Sequence, residues 1–402
     1  MEGHLSTAGS LMIDKPVTGL VFLIRADNSW HAEELRVRPG LFCLLEVEMD
    51  IKRLKEDLYL ESGYVNIKAI LDTGYPFIFV VGGRGTGKTF GSLVHALRRD
   101  SDKRFIYMRR KQDQLDLINT PEFNPFKKVN EKFGTHIDVK KLNKKSSGFY
   151  EFTWDADKGK AVPDGDLLGY TVALSTIATL RGFDASDADL IIYDEFIGED
   201  HEHPIKSEYD AFRNAYETIN RNRELEGEKP VQMLCLANSN KLANPIFMGM
   251  RIVDKLQKAS LQGREIIAYP KRGVLIILLK ESEISERKSR TALYRLDEGE
   301  DEFTQMSISN DFSQDDTAGV APKPIQEYNC VAKLGALYIW QHKSRREYYI
   351  CQHGSGSPAV YNKKDIRKFV RANWGFYDAF MKNLVFYDSY LTKSIYLEYT
   401  GN

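Results

Sequence analysis

The chain has 402 residues, of which 42% are hydrophobic and 28% charged, and its formal net charge is −1. This composition predicts a soluble globular protein of two or three domains, in which any site for nucleic acid or a membrane surface must come from local patches. The four cysteines form no Cys-x-x-Cys pair, and the sequence contains no signal peptide or apolar run of membrane-spanning length, which argues against zinc, disulfides, secretion and membrane insertion.

The first 48 residues form an N-terminal extension to which the sequence assigns no role. Its segments 17–24 and 41–47 have the apolar content of short strands. A charged helical pattern begins at Asp50, and the preceding Met49 is an alternative start residue. We therefore predict that the first large domain begins at residue 49.

Six apolar segments between residues 77 and 279 are predicted to be strands. They lie at 77–81, 104–108, 170–174, 189–193, 231–236 and 274–279. Helical patterns lie between several of them, and this alternation predicts an α/β domain with a mostly parallel sheet over residues 49–282. Residues 135–157 interrupt the alternation and are predicted to form a hairpin with a basic turn.

A glycine-rich loop, GGRGTGKT, follows the first of these strands. Between a strand and a helix, such a loop turns its backbone N–H groups toward phosphate, Lys88 reaches the β- and γ-phosphates, and Thr89 offers its hydroxyl to Mg²⁺. The other phosphate-binding positions are Gly82, Gly83, Arg84, Gly85, Thr86 and Gly87. The alternative is a glycine-rich turn with a chance lysine, but the strand, the full motif and the helix together predict a site for ATP and Mg²⁺.

An apolar strand that ends in Asp194 and Glu195 supplies the second half of the predicted site. An aspartate at a strand end beside a phosphate loop holds Mg²⁺, and an adjacent glutamate can deprotonate the attacking water. Both side chains can face the site because the chain turns at this point. The alternative is an exposed acidic strand end, whereas a functional pair predicts ATP hydrolysis rather than nucleotide binding alone.

Three further polar residues are candidates for the same site. Asn238 follows the strand 231–236 and is either a sensor of the γ-phosphate or an ordinary turn residue. Arg181 and Arg221 are either arginines that stabilise transition-state charge or solvated cations at helix ends. For the nearby Arg223 we favour the solvated cation.

Two basic groups are weaker candidates for DNA contact. Arg109, Arg110 and Lys111 follow the strand 104–108 and would contact phosphate of a nucleotide or of DNA. The second group lies in a strand hairpin predicted at 331–350 and an amphipathic helix predicted at 363–384. Its members are Lys343, Arg345, Arg346, Lys363, Lys364, Arg367, Lys368 and Arg371. The lysines at 140–145 are interpreted as a solvated charge run.

The chain after residue 282 is predicted to comprise a charged helical linker or lid at 283–318 and a smaller domain at 319–402. Residues 320–402 hold 12 lysines and arginines against six aspartates and glutamates. The six carboxylates are scattered, and none lies in the strand predicted at 332–341. The excess of positive charge predicts that this domain binds a polyanion.

The motifs, in their order, resemble those of the DNA-encapsidation ATPases of small short-tailed phages, which are genome-packaging motors related to large terminases. The segments that carry the resemblance are GGRGTGKT, YMRRK, LSTIATLRGF, IIYDEFI, FRNAYETINRNRE and LCLANSNKLANP. The resemblance covers about residues 58–316 well, including the linker segment 285–307, and the C-terminal region loosely. The N-terminal extension departs from the family pattern, because family members start close to the first helix.

The resemblance implies a RecA-like P-loop fold with an extra strand between the strand of the phosphate loop and the strand of the acidic pair. It implies that Arg221 is the family's arginine finger, acting across a subunit boundary, and that Arg181 is a second basic residue there, where the family usually carries lysine. It also implies a ribonuclease-H-like α+β domain at the C-terminus. Because nuclease chemistry needs clustered carboxylates that hold two metal ions, the scattered acids predict a domain without nuclease activity.

The predicted function is an ATPase that drives double-stranded DNA into a viral procapsid. The resemblance implies a homo-oligomeric ring, pentameric in number, that docks on the portal or connector of the procapsid in the host cytoplasm, away from any membrane. Participation of a scaffold RNA is left open. The alternatives are a terminase-type motor with an active C-terminal nuclease, another ring-forming nucleic-acid ATPase such as a helicase, and a portal-docking module without turnover.

Overall fold

The computed structural model describes residues 20–26, 29–35, 51–143, 145–177, 185–198, 202, 205–238, 241–279, 287, 291 and 318–400. The chain divides into a small unit, residues 1–53, and a large unit, residues 54–402. In the small unit, strands β1 (Leu20–Ala26) and β2 (Ser29–Leu35) pair as an antiparallel hairpin. The strand predicted at 17–24 overlaps β1, and the strand predicted at 41–47 lies outside the described residues.

The large unit is built on a nine-stranded mixed sheet. Its strands are β3 (Phe77–Val81), β4 (Arg104–Arg109), β5 (Ile137–Lys141), β6 (Ser147–Asp155), β7 (Lys160–Ala173), β8 (Ala188–Asp194), β9 (Gln232–Ala237), β10 (Ile266–Tyr269) and β11 (Val274–Leu278). Their order across the sheet is β10-β11-β3-β9-β8-β4-β7-β6-β5. The central strands from β11 to β7 run parallel, whereas β10 at one edge and β6 and β5 at the other are antiparallel to their neighbours.

The central strands are apolar along most of their length because helices cover both faces of a parallel sheet. All five residues of β11 and the last five of β8 are buried, for example. β9 lies between β3 and β8, as the family resemblance implied. The segment predicted as a strand at 170–174 is the end of a longer strand, β7, which pairs with β6 along most of its length. β5 and β6 form an antiparallel pair within the hairpin predicted at 135–157.

Short helices connect these strands. They are α1 (Ile67–Asp72), α2 (Lys88–Arg98), α3 (Gln112–Ile118), α4 (Lys127–Phe133), α5 (Leu174–Ile177), α6 (Glu208–Asn220), α7 (Pro245–Met250) and α8 (Val253–Leu261), preceded by a helical segment at 51–57. α6 buries Phe212, Ala215 and Ile219, whose spacing places them on one face of the helix. None of the helices in the described ranges has both the length and the apolar character needed to cross a lipid bilayer.

A five-stranded sheet lies in the C-terminal part. Its strands are β12 (Tyr328–Leu334), β13 (Leu337–His342), β14 (Tyr348–Cys351), β15 (Ala359–Tyr361) and β16 (Val385–Tyr387), in the order β15-β12-β13-β14-β16. β12, β13 and β14 form an antiparallel meander, and β15 and β16 run parallel to their neighbours at the two edges. Helices α9 (Ile366–Ala372), α10 (Trp374–Met381) and α11 (Tyr390–Thr400) accompany this sheet.

The single helix predicted at 363–384 is in fact two helices, α9 and α10. Asn373 separates them with a non-helical backbone, φ −124° and ψ 51°. Its side-chain Nδ2 donates to the carbonyl oxygen of Phe369 at 3.0 Å. An asparagine that satisfies backbone groups locally competes with helix propagation, and the helical periodicity on either side concealed this break.

The C-terminal helix α11 joins the two sheets. Asp254 in α8 accepts hydrogen bonds through Oδ1 from the backbone N–H groups of Tyr390 at 2.7 Å and Leu391 at 3.3 Å. Both residues also belong to the hydrophobic core of the nine-stranded sheet. The predicted domain boundaries remain predictions, since most of the linker at 283–318 lies outside the described residues. The ribonuclease-H-like character of residues 319–402 likewise remains a prediction.

Candidate active site

The phosphate loop connects the end of β3 to the start of α2. The Lys88 side chain lies inside the loop, and the residue is only 4% exposed. Its Nζ donates to the carbonyl oxygens of Gly82 at 2.9 Å and Gly83 at 2.7 Å, and to Thr86 Oγ1 at 3.1 Å. An ammonium group held in a loop that opens into a helix amino terminus forms a positively charged cradle for phosphate.

Two glycines give the loop its shape. Gly85 and Gly87 have φ values of 83° and 87°, in the left-handed region that residues with side chains rarely adopt. A Cβ atom on Gly87 would also lie 2.9 Å from the Tyr64 ring, which packs directly against the loop. Any side chain at this position therefore distorts the cradle or displaces the ring.

Asp194, the last residue of β8, contacts the phosphate loop. Thr89 Oγ1 donates to the Asp194 carboxylate, at 3.1 Å from Oδ1 and 3.2 Å from Oδ2, and the Tyr107 hydroxyl donates to Oδ2 at 2.7 Å. Burial raises the pKa of the Asp194 carboxyl, while the Arg109 guanidinium and the Tyr107 hydroxyl oppose that rise. Hydroxyl and carboxylate oxygens are the ligands that Mg²⁺ prefers, so this pair fits the Mg²⁺ that accompanies a nucleotide.

Glu195 lies at a backbone turn beside Asp194. Its φ of 54° is unusual for a residue with a side chain, and such strain costs about 1–3 kcal/mol and tends to occur at functional sites. Arg109 contacts both acids: its Nη2 pairs with Glu195 Oε2, and its Nη1 lies 3.5 Å from Asp194 Oδ2. Burial acts to lower the pKa of Arg109, but Tyr107 and the two carboxylates together raise it. Arg109 therefore stays charged and balances the acidic pair.

Asn238 lies at the carboxyl end of β9, on the same side of the sheet as the phosphate loop. The backbone N–H of Gly82 donates to the carbonyl oxygen of Ala237 at 3.3 Å, so the end of β9 adjoins the start of the phosphate loop. The loop, Asp194, Glu195 and Asn238 thus meet at the carboxyl ends of β3, β8 and β9. Ligands in open parallel sheets bind at this edge.

Arg221 lies at the opposite end of these strands, their amino end. α6 carries the chain from the carboxyl end of β8 back to the amino end of β9, where Asn220 Oδ1 accepts a hydrogen bond from the backbone N–H of Val231 at 2.9 Å. Arg221 follows at once and is exposed. The seven residues of β8 span roughly 20–23 Å at about 3.3 Å per residue, which separates Arg221 from the phosphate loop of its own chain. Arg181 lies outside the described residues.

The basic cluster at 109–111 is divided between two faces of the sheet, because successive residues of a strand point to opposite sides. Arg110, predicted as a DNA contact, is 3% exposed. Its Nε and Nη2 donate to the two carboxylate oxygens of Glu208 at 2.7 and 2.8 Å, and its Nη1 pairs with Glu202. Lys111 Nζ lies 3.9 Å from Glu202. Arg110 is therefore a buried structural residue, and Arg109 belongs to the candidate site through its contacts with Asp194 and Glu195.

We expect Arg110→Met to lower the free energy of unfolding by about 3–5 kcal/mol, because it leaves the Glu208 carboxylate buried without its partner. Combining it with Glu208→Gln should recover much of this loss, since no buried charge then remains unpaired. Chemical denaturation of the two single variants and the double variant measures the coupling. Effects that simply add would show that the pair does not interact energetically.

The C-terminal candidates for DNA contact are on the surface. The exposed ones are Lys343, Arg345, Arg346, Lys364, Arg367, Lys368 and Arg371. Arg345 pairs with Glu327 at 3.3 Å and Lys368 with Asp365 at 3.2 Å, so part of this charge is balanced locally. Across the described ranges, no group of three or more His, Cys, Asp and Glu side chains is arranged to hold a metal ion.

The sequence analysis missed one residue of the site, Tyr107, and misassigned Arg223, which lies at the opposite end of β8. Tyr107, which holds Asp194, lies two residues before Arg109 in β4 and so shares its face; this period-two spacing was the available signal. Arg223, favoured as a solvated cation, is in fact buried: its guanidinium donates to the carbonyl oxygens of Ser186 and Ala188 at the start of β8. Its acceptors are backbone groups, which the identity of neighbouring residues does not reveal.

The chain is similar to one protein family and to DNA packaging proteins of Bacillus phages. The family model of the podovirus DNA encapsidation protein (Gp16) matches residues 60–341. The DNA packaging protein of Bacillus phage phi29 is 29% identical over 258 residues, 63% of this chain and 68% of that protein. The DNA packaging protein of Bacillus phage B103 is 28% identical over 291 residues, 70% of this chain and 80% of that protein.

Two of the solved structures with a similar fold belong to packaging motors. The bacteriophage phi29 viral genome packaging motor assembly contains a chain that superposes with a TM-score of 0.60 at 22% identity, covering 84% of this chain and 98% of that chain. The Phi-28 gp11 DNA packaging motor gives a TM-score of 0.55 at 21% identity, covering 83% and 97%. The shared fold therefore extends over most of this chain.

Proposed function

The chain belongs to the podovirus DNA encapsidation protein (Gp16) family, and from this premise we propose that it is the ATPase of a phage genome-packaging motor. It hydrolyses ATP and uses the free energy to translocate double-stranded DNA into a procapsid. The observation that carries the proposal is the contact of Thr89 with Asp194, at 3.1 and 3.2 Å, which joins the phosphate loop to the acidic pair. Glu195 beside them supports turnover rather than binding alone.

Nucleotide binding uses the loop and its lysine. The phosphates enter the cradle of backbone N–H groups, and Lys88 exchanges the carbonyl oxygens of Gly82 and Gly83 for phosphate oxygens. This exchange is favourable because an ammonium group makes stronger hydrogen bonds with charged phosphate oxygens than with neutral carbonyl oxygens, and the lysine already points into the loop. Thr89 and Asp194 hold Mg²⁺, which neutralises charge on the phosphates when bound. In this proposal Asn238, which follows the neighbouring strand, contacts the γ-phosphate.

Glu195 accepts the proton of the attacking water in this proposal. Its carboxylate pairs with the Arg109 guanidinium, so it has to turn from the guanidinium toward the water in order to accept the proton. Arg109 remains beside Asp194 and keeps that carboxylate balanced.

Arg221 completes the site of a neighbouring subunit. Its position at the opposite edge from its own phosphate loop supports action between subunits, and therefore a homo-oligomeric ring. The relatives' names, DNA packaging protein and packaging motor assembly, support placement of the ring at the portal or connector of a procapsid in the host cytoplasm. A pentamer is proposed from the family resemblance, and a scaffold RNA is a further candidate component.

A packaging reaction tests the proposal. Purified protein, procapsids with portals, double-stranded DNA and ATP should yield DNA that resists DNase, and Lys88→Ala should yield none. An exposed lysine outside the loop provides the matched control, Lys271→Ala, which should package normally. Strand separation without procapsids would instead favour a helicase. Portal binding without any release of phosphate would favour a passive docking module.

The C-terminal domain is expected to bind DNA without cutting it, since its carboxylates are scattered and its basic residues are exposed. The full chain should leave supercoiled DNA intact with Mg²⁺ or Mn²⁺. DNA binding should weaken steeply with salt, with a slope near 0.9 per phosphate contact, and the triple variant Lys343→Gln, Arg346→Gln, Lys364→Gln should lower that slope. Manganese-dependent nicking would instead favour a terminase-type motor with an active nuclease.

A further inference from the structure

The residue before Arg221 is a buried anchor. Asn220 is 5% exposed although its side chain is polar. Its Oδ1 accepts a hydrogen bond from the backbone N–H of Val231 at 2.9 Å, and its Nδ2 donates to Glu224 Oε2 at 3.1 Å. The end of α6 is therefore fixed to the start of β9, the central strand between β3 and β8.

A second anchor, Arg223, lies two residues after Arg221. It is 7% exposed, and its Nη2 donates to the carbonyl oxygen of Ala188 at 2.6 Å and to that of Ser186. Its Nη1 lies 3.8 Å from the half-exposed carboxylate of Glu228. These carbonyl groups lie at the start of β8, the strand whose other end holds Asp194. A buried guanidinium is tolerated only where such hydrogen bonds are made, so its position is well determined.

Arg221 itself has a backbone conformation that its neighbours must maintain. Its φ is 49° and its ψ is −129°, which residues with side chains seldom adopt. Its backbone N–H donates to the carbonyl oxygen of Glu217 at 3.0 Å, and its Nε lies 3.4 Å from the carbonyl oxygen of Thr218. Such a conformation persists where the surrounding structure over-determines it, and the buried anchors on both sides do so here.

We propose that Arg223 is a positioning residue that presets Arg221 for action on the nucleotide of a neighbouring subunit. This inference rests on the proposed role of Arg221 between subunits. Arg223 holds the segment that carries Arg221 against the rigid start of β8. Arg221 is therefore positioned before the neighbouring subunit binds, and less conformational entropy is lost on assembly. A catalytic group misplaced by about 1 Å can lose about 100-fold in rate, so loss of this anchor should be visible in turnover.

Arg223→Met tests the proposal because it keeps the buried stem and removes the donors. We expect ATP binding to be unchanged and turnover of the assembled protein to fall by about 10- to 100-fold. Arg213→Met is the matched control: Arg213 is an exposed arginine on α6, and turnover should remain at the wild-type level. Full turnover of Arg223→Met would overturn the proposal.

Mixed assemblies separate positioning from general damage to the fold. An Arg223→Met subunit should lack a working finger but keep an intact Glu195 site. Mixed with Glu195→Gln subunits, it should therefore regain hydrolysis, because that partner supplies a correctly placed Arg221. Mixed with Arg221→Ala subunits, it should regain none, because neither partner supplies a working finger.

The outcomes that overturn the proposal differ from those that overturn the role of Arg221. If Arg223→Met co-assembles with Glu195→Gln and no activity returns, its own site is damaged and Arg223 is not a positioning residue. If Arg221→Ala with Glu195→Gln gives no recovery, the role of Arg221 between subunits fails instead. Should Arg223→Met not assemble, Arg223→Lys serves in the same mixtures. The single ammonium of lysine can reach one carbonyl oxygen, so we expect Arg223→Lys to keep partial turnover. Mixing with Glu195→Gln subunits should raise this turnover, and mixing with Arg221→Ala subunits should not.

Discussion

Glu195→Gln is expected to slow ATP hydrolysis by about 10²–10⁴-fold and to leave ATP binding in place, because general-base catalysis contributes about that factor. Glutamine has nearly the same shape as glutamate but cannot accept a proton from water. It also ends the ion pair with Arg109, which lies outside the phosphate cradle, so affinity for the nucleotide should change little. Single-turnover phosphate release measures the chemical step, and a fluorescent ATP analogue measures binding.

The matched control for this variant is Glu122→Gln, an exposed glutamate remote in sequence from the acidic pair. It should hydrolyse ATP at the wild-type rate. Wild-type turnover in Glu195→Gln would remove Glu195 from the role of general base. A loss of binding as large as the loss of turnover would also contradict the assignment, because it would indicate a ground-state role.

Arg221→Ala is expected to reduce turnover of the assembled protein by about 10³–10⁵-fold, the range attributed to arginine fingers, with ATP binding retained. An arginine suits this task because its planar guanidinium stays charged and can pair with two phosphate oxygens. Because the proposed arginine finger acts on the nucleotide of a neighbouring subunit, hydrolysis should depend on assembly. Wild-type activity per subunit should therefore rise with protein concentration or on addition of procapsids.

A mixture of Arg221→Ala and Glu195→Gln subunits is the decisive measurement. Each variant lacks a different half of the site, so an interface that joins an intact Glu195 to a neighbour's intact Arg221 should hydrolyse ATP. If the two variants demonstrably co-assemble and no mixture recovers activity, Arg221 does not act between subunits. Arg181 would then be the next arginine to test.

The local sequence predicted those parts of the structure that depend on local chemistry. The apolar runs predicted the central strands because strands buried on both faces need them, and the loop spacing predicted the approach of Thr89 to Asp194. The order of the strands across the sheet could not be predicted from the local sequence. The insertion of β9 between β3 and β8 followed from the family resemblance, since nothing in the residues of a single strand specifies its neighbour.

The partners of buried charges could not be predicted. Arg110 and Arg223 each stand in a basic segment that resembles a solvated surface. Arg110 binds Glu208, which lies 98 residues later in the sequence, and Arg223 binds the carbonyl group of Ala188, which lies 35 residues earlier. Only tertiary packing brings these groups together, and the Ala188 acceptor is a backbone atom that every residue possesses. The sequence patterns therefore identified the charged residues but did not distinguish an arginine with buried partners from an arginine exposed to solvent.

Arg221 and the phosphate loop lie at opposite ends of the central strands of one sheet. In the proposed ring each subunit therefore gives an arginine to one neighbour and receives an arginine from the other, which is a heterologous, head-to-tail contact. In an open row of subunits, the terminal copy on one side keeps a phosphate loop that no arginine reaches. When the row closes into a ring, every phosphate loop has a neighbour's arginine. The last subunit to join therefore adds its own site and also completes the site of the formerly terminal copy.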